Sequence, residues 1–202
     1  MDFLFSRRSI RQYRPEPVAE DIIRRILAAA HAAPSAHNTQ PWRFVVLQDA
    51  SVRRSLAESM AEAYSRDAEA DGQTPAARGQ APEAIRARNE RSVARISAAP
   101  LAILACVDEG CLPSGAGRRA EGERLLLSHS VAASVQNMLL AAHAEGLGAC
   151  WICAPAFCPQ TVRDNLQLPE RWIAEALVLI GYPAEEPRKP DGRAMDEVVQ
   201  WR

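Results

Sequence analysis

Ala33-Pro34-Ser35-Ala36-His37-Asn38-Thr39-Gln40-Pro41-Trp42 is the place where a helix gives way to a strand. Upstream, Ile22, Ile23, Ile26, Leu27 and Ala30 form an apolar stripe at one-turn spacing, which predicts a buried helix face over 20–33. Pro17 precedes that helix and Pro34 stops it. Downstream, Trp42 to Leu47 is a short apolar run bounded by Pro41 and Asp49, and reads as a strand. Between the two lies a dense set of small hydrogen-bonding side chains. Such a loop offers amide and hydroxyl partners to a polar planar ring; the plainer reading is a well-capped turn.

The rest of the chain repeats the alternation. Residues 50–66 read as helix, with Leu56, Met60 and Tyr64 four apart. Residues 67–82 are rich in Asp, Glu, Gly, Ala and Pro without an apolar period, so they read as a surface loop or a flap over a site. Helix resumes over 83–97, and Leu101 to Val107 is a buried strand after Pro100. Residues 121–145 form the longest helical segment, apolar on more than one stripe, with Gly146 and Gly148 as cap-type residues at its end. Ala149–Cys153 is strand-like, 159–166 a short helix and Ala176–Ile180 a buried strand. These segments imply one α+β domain with helices around a four- or five-strand sheet.

Composition narrows the function classes. The formal charge of −1 gives no global field toward nucleic acid or membranes. No run approaches the roughly 18 apolar residues of a membrane span. Residues 1–15 are too charged for a signal peptide, and five cysteines, an odd number, do not suggest a secreted disulfide scaffold. The expectation is a cytoplasmic protein with reduced thiols.

Several motifs fall away. Gly115-Ala116-Gly117-Arg118-Arg119-Ala120 lies too far behind the preceding strand for a dinucleotide fingerprint. Cys150-Trp151-Ile152-Cys153 lies in a strand-like stretch, whereas redox dithiols of that spacing begin helices, so packing thiols are the preferred reading over redox or zinc roles. The four histidines show no metal-ligand spacing, and His31, His129 and His143 fall on predicted helices in structural roles. No metal site is expected. No acid, base or nucleophile set emerges, which points to a cofactor that carries the chemistry. One segment does stand out: Arg7-Arg8-Ser9-Ile10-Arg11. If 2–10 is helical, Arg7 and Arg11 share a face, and two guanidiniums with a hydroxyl can hold a phosphate monoester. A solvated basic face, or a basic arm for DNA, are the other readings.

Taken together, R-R-S-x-R, then P-S-x-x-N-x-Q-P-W, then G-L-G-A-C-W-I over 146–152 and the closing Asp196-Glu197-Val198-Val199-Gln200-Trp201 resemble the nitroreductase family over essentially the whole chain. Met60–Gly72 and the run from Gly146 to Phe157 look most similar to the reductase domain of the bifunctional γ-glutamyl ligase of coenzyme F-420 biosynthesis. The resemblance implies a central mixed or antiparallel sheet flanked by helices, in a domain-swapped homodimer with FMN at the subunit interface. It implies that Arg7, Arg8, Ser9 and Arg11 hold the FMN phosphate and ribityl chain. Lys189 and Arg193 of the tail 183–202 would complete that site, although Gly192 stands where relatives often carry another basic residue. Pro34, Ser35 and Asn38 would come from the other subunit, the backbone of Ile152, Cys153 and Ala154 would face the isoalloxazine edge, and Asp67 would touch a deazaflavin substrate. The activity implied is ping-pong hydride transfer from NAD(P)H to a small electron-poor acceptor. A reductase of a coenzyme F-420 precursor, a flavin-binding sensor without turnover and a DNA-binding repressor are the alternatives.

Overall fold

The computed structural model describes residues 2–70, 82–112, 117–187 and 192–202, and leaves the side chains of 67–70, 82, 84 and 85 undescribed. Its centre is strand β2 (Leu101–Asp108), buried along its whole length because it is an apolar run covered on both faces. It pairs with β1 (Trp42–Leu47) on one side and with β4 (Trp172–Gly181) on the other, and β4 carries β3 (Gly148–Ile152). The order is β1-β2-β4-β3, and every pairing is antiparallel. The register aligns Val45, Leu104, Leu177 and Ile152 in one row across the sheet. That row faces α3 (Ala50–Ala70), α4 (Pro82–Ala98), α6 (Ala154–Phe157) and α7 (Pro159–Leu166). The alternate row, with Ile103 and Val178, faces α2 (Glu20–His31) and α5 (Arg118–Ala144). The result is a helix–sheet–helix sandwich.

Two side chains lock α2 onto α5 by reaching its backbone carbonyls: Ser134 Oγ donates to Ala30 O at 2.9 Å and Asn137 Nδ2 to Ala29 O at 3.1 Å. By length and hydropathy α5 could cross a membrane, which the sequence reading did not anticipate. Here its face of Val131, Val135, Met138 and Ala142 is instead buried against the sheet and α2. Its end is a left-handed glycine cap: Gly146 has φ +74°, Leu147 N donates to Ala142 O and Gly146 N to His143 O. Gly148 plays a different part from the cap expected of it. It lies within β3, where a Cβ would stand 2.5 Å from Ile10 Cβ.

Three expectations need correction. Helix α3 runs on to Ala70, so residues 67–70 are not loop; 71–81, the rest of the proposed flap, lie outside the described residues. Strand β4 begins at Trp172 rather than Ala176, because Glu175, which breaks the apolar run, is accommodated by a 2.8 Å hydrogen bond from Ser128 Oγ. Helix α1 spans only Asp2–Ser6. Arg8 closes it by donating from one nitrogen to Phe5 O and Arg7 O, and Ser9 then lies parallel to Ala149 as an extra strand position.

Candidate functional site

The departure from helix at Ser6 builds the site. Ile10 N donates to Ala149 O at 3.1 Å, and the Ile10 side chain is buried over the bare Cα of Gly148. Farther on, Tyr13 bridges Pro183, Arg14 N donates to Tyr182 O and Ala184 N to Gln12 O. The N-terminal segment is therefore stitched along the free edge of β3 and to the start of the C-terminal tail. Glu185 finishes the seam by accepting from Arg11 N (2.7 Å) and Gln12 N (3.2 Å). In extended chain, alternate residues share a side. The pairing of Ser9 with Ala149 therefore replaces the helical turn predicted for Arg7, Ser9 and Arg11 by extended chain.

The chemistry at this edge is cationic. The buried Cys150 thiol is pushed up by desolvation, against the opposing pull of the positive charges on Arg11, Arg95 and Arg7. Tyr13 is likewise raised, first by burial, against the opposing pull of Arg95 and Arg11. None of Arg7, Arg11 or Arg95 is in an ion pair with a described residue. Arg95 was missed from sequence because α4 reads as charged on most faces. A cavity of about 350 Å³ opens beside the segment, lined by Ser6, Arg7, Arg8, His143, Glu185 and Glu186 among others. Ile152 and Ala154 are half-buried and Cys153 exposed where β3 passes into α6. Cys153 is thus the residue before a helix rather than a strand position, while Cys150 is a buried strand thiol. Among the described residues no cluster of His, Cys, Asp and Glu is placed to hold a metal.

The second predicted segment is a strained turn. His37, Asn38 and Gln40 all have φ near +50° (52°, 54° and 46°) without a glycine among them. Such conformations cost on the order of 1–3 kcal/mol each and persist where neighbours over-determine them. Asn38 N donates to Ser35 O, Gln40 N to Ser35 Oγ, and Gln40 Nε2 to Asn38 Oδ1. Ser130 of α5 holds the turn from below, its Oγ accepting from Ala36 N at 3.1 Å. Ser35 thereby keeps its hydroxyl proton and Asn38 its NH2 group for another partner, and Pro34 and Asn38 are exposed.

These two segments do not meet within one chain. The turn precedes Trp42, level with Ile173 of β4, whereas Ser9 lies at Ala149, level with Ile180. That is about 23 Å along the strands and about 14 Å across the sheet from β1 to β3. Arg193 is exposed, Lys189 lies outside the described residues, and for Asp67 only the backbone, in α3, is described.

Comparison with known proteins gives this geometry a context. A model of the Nitroreductase family matches residues 4–182. An NADH dehydrogenase of Thermus thermophilus is 36% identical over 97% of this chain and 92% of its own. A 5,6-dimethylbenzimidazole synthase of Rhodospirillum rubrum is 33% identical over 95% of this chain and 85% of its own. Among solved structures, a Desulfovibrio desulfuricans protein in complex with FMN aligns with a TM-score of 0.73 and 28% identity, covering 100% of this chain and 95% of that one.

Proposed function

The chain belongs to the nitroreductase family of oxidoreductases, and from that premise we propose that it holds FMN between two copies of itself and passes hydride from NAD(P)H to a small electron-poor acceptor. The observation that carries the reading is that Arg7, Arg11 and Arg95, whose charges all act on Cys150, have no carboxylate partner among the described residues, where Ser9 pairs with the edge of β3. A phosphate monoester is a dianion whose oxygens accept charge-assisted hydrogen bonds, and this donor set fits it.

In this reading Arg7, Ser9 and Arg11 hold the phosphate and ribityl chain. Arg8, with one nitrogen committed to α1, adds charge and shapes the turn. Lys189 and Arg193 of the tail close over the phosphate. The backbone of Ile152, Cys153 and Ala154 borders the isoalloxazine, where an amide donor favours negative charge on the reduced ring. When bound, FMN supplies two-electron transfer, so donor and acceptor use one face in turn, a ping-pong order.

Pro34, Ser35 and Asn38 are assigned to the site of a second copy, since within one chain they stand at the opposite corner of the sheet. The apolar side chains Phe3, Phe5, Met195, Val198 and Trp201 are exposed on α1 and the tail that carries α8 (Met195–Val198). A homodimer with exchanged tails covers them, and patches of this kind mark interaction sites. The whole chain acts as one domain in the cytoplasm, with 183–202 reaching the neighbouring subunit.

The test is direct. The purified protein is expected to be yellow, or to take up FMN stoichiometrically, and to bleach on anaerobic addition of NADH or NADPH. Each charge-assisted bond contributes about 1.5–3 kcal/mol, so Arg7→Ala with Arg11→Ala is expected to weaken FMN binding about a hundredfold or more. Unchanged affinity in that double variant removes the phosphate assignment. A narrower reading makes the acceptor a coenzyme F-420 precursor, supported by the Met60–Gly72 and Gly146–Phe157 likeness. Titration of the holoprotein with that deazaflavin, before and after Asp67→Ala, tests it; absence of binding eliminates it.

A further inference from the structure

Beyond the flavin edge, α6 ends at Phe157, whose ring is 67% exposed and meets Tyr64 of α3 edge-on, with centroids 6.4 Å apart at 84°. Arg88 of α4 lies over the Tyr64 ring, 5.0 Å from its centroid, and is in no ion pair with a described residue. Its neighbour Arg86 is different: it is paired with Glu90. An exposed guanidinium held on an aromatic face, with a second aromatic ring standing open beside it, is a receptor for a flat ring that carries negative charge.

Its position ties it to the proposed site. Phe157 is one helical turn from Ala154, about 5 Å along the axis. Arg88 and Arg95 are seven residues apart on α4, so they share a face with about 10 Å between them. One helix thus carries both Arg95, whose charge acts on Cys150, and Arg88, which lies at the Tyr64–Phe157 pair.

We propose that Phe157, Tyr64 and Arg88 form the acceptor subsite, and that it selects planar aromatic acceptors bearing a carboxylate. This rests on the flavin reading above, which supplies the reducing face; the subsite itself is made from this chain's own side chains. Phe157 offers stacking area to any arene. Arg88, pre-positioned on Tyr64, supplies the charge-assisted bond that distinguishes an anionic arene from a neutral one.

Isothermal titration of the purified protein with 4-nitrobenzoate and with nitrobenzene tests the proposal. The wild type is expected to bind the carboxylate about tenfold or more tightly than the neutral arene, as one charge-assisted hydrogen bond predicts. Arg88→Gln should bring the two affinities within about twofold, and Arg88→Lys should recover part of the gap. Phe157→Ala should weaken both ligands alike. Equal affinities in the wild type, or an Arg88→Gln profile that matches it, overturns the proposal. Flavin content, read from the same samples, keeps the two ideas separate. A colourless protein that still prefers nitrobenzoate through Arg88 retains the subsite and loses the flavin reading, whereas a yellow protein without the preference does the reverse.

Discussion

A methyl group added at Gly148 enters space held by Ile10. The new Cβ would stand 2.5 Å from Ile10 Cβ, 2.6 Å from Cγ1 and 2.7 Å from Cγ2. Carbon–carbon contacts relax at about 3.5–4.0 Å, so Ile10 must withdraw by about 1 Å. It cannot do so alone, because its amide is bonded to Ala149 O and Arg7, Ser9 and Arg11 are its near neighbours in the chain. Over-packing of this kind costs about 1–3 kcal/mol, which for a chain of this length lowers Tm by about 3–10 °C. A displacement of that size at the guanidiniums should also weaken FMN about ten- to a hundredfold, or about 1.4–2.8 kcal/mol. The assay is a thermal melt with and without FMN, alongside a flavin titration. Ile10→Ala in the same background removes two of the three colliding atoms and should recover part of both losses. Gly122→Ala, on α5 with nothing near its Cβ, is the control and should be neutral or stabilising by about 0.5–1 kcal/mol. A Gly148→Ala protein that melts and binds like the wild type refutes the docking argument.

Other outcomes follow from features described above. Ser130→Ala removes the acceptor for Ala36 N, so the turn should lose about 1 kcal/mol and the amides of Asn38 and Thr39 should exchange faster; unchanged exchange rates exclude Ser130 as the anchor. Burial, with a smaller contribution from Glu175, pushes the Cys106 thiol from 9.0 up to about 12. The fold therefore favours its neutral form, and that stabilisation is complete below about pH 9 and lost as pH rises toward 12. The slope is about 1.4 kcal/mol per pH unit for this group, and Tyr13, also raised, acts in the same sense. Urea melts from pH 8 upward should show the decline, and Cys106→Ala should make it shallower; an identical slope in that variant dissociates Cys106 from the alkaline loss.

How far the chain could be read in advance depended on the range of the forces involved. Strand β1 coincides with the apolar run Trp42–Leu47, and β2 extends the run Leu101–Val107 by one residue, because burial alone decides such segments. The first half of β4 was hidden by Glu175, whose hydrogen bond from Ser128 comes from a helix 47 residues away in sequence. Helical spacing is the local reading of Arg7, Ser9 and Arg11, but pairing with Ala149 imposes an extended chain there. Nothing local announced the left-handed His37, Asn38 and Gln40, since no glycine marks them; Ser130 and Ser35 enforce that path. Arg95 is one arginine among several on α4 until folding brings its charge to bear on Cys150 and Tyr13.

The diagonal separation of Ser9 from Ser35 has an outcome in mixed populations. Chains carrying Arg7→Ala and Arg11→Ala, and chains carrying Ser35→Ala and Asn38→Ala, are each expected to be inactive alone. In the homodimer proposed above, a hybrid pair gathers every lesion into one cleft and leaves the other intact. Random exchange makes half of the pairs hybrid, so about a quarter of all clefts should regain function by two-fold symmetry.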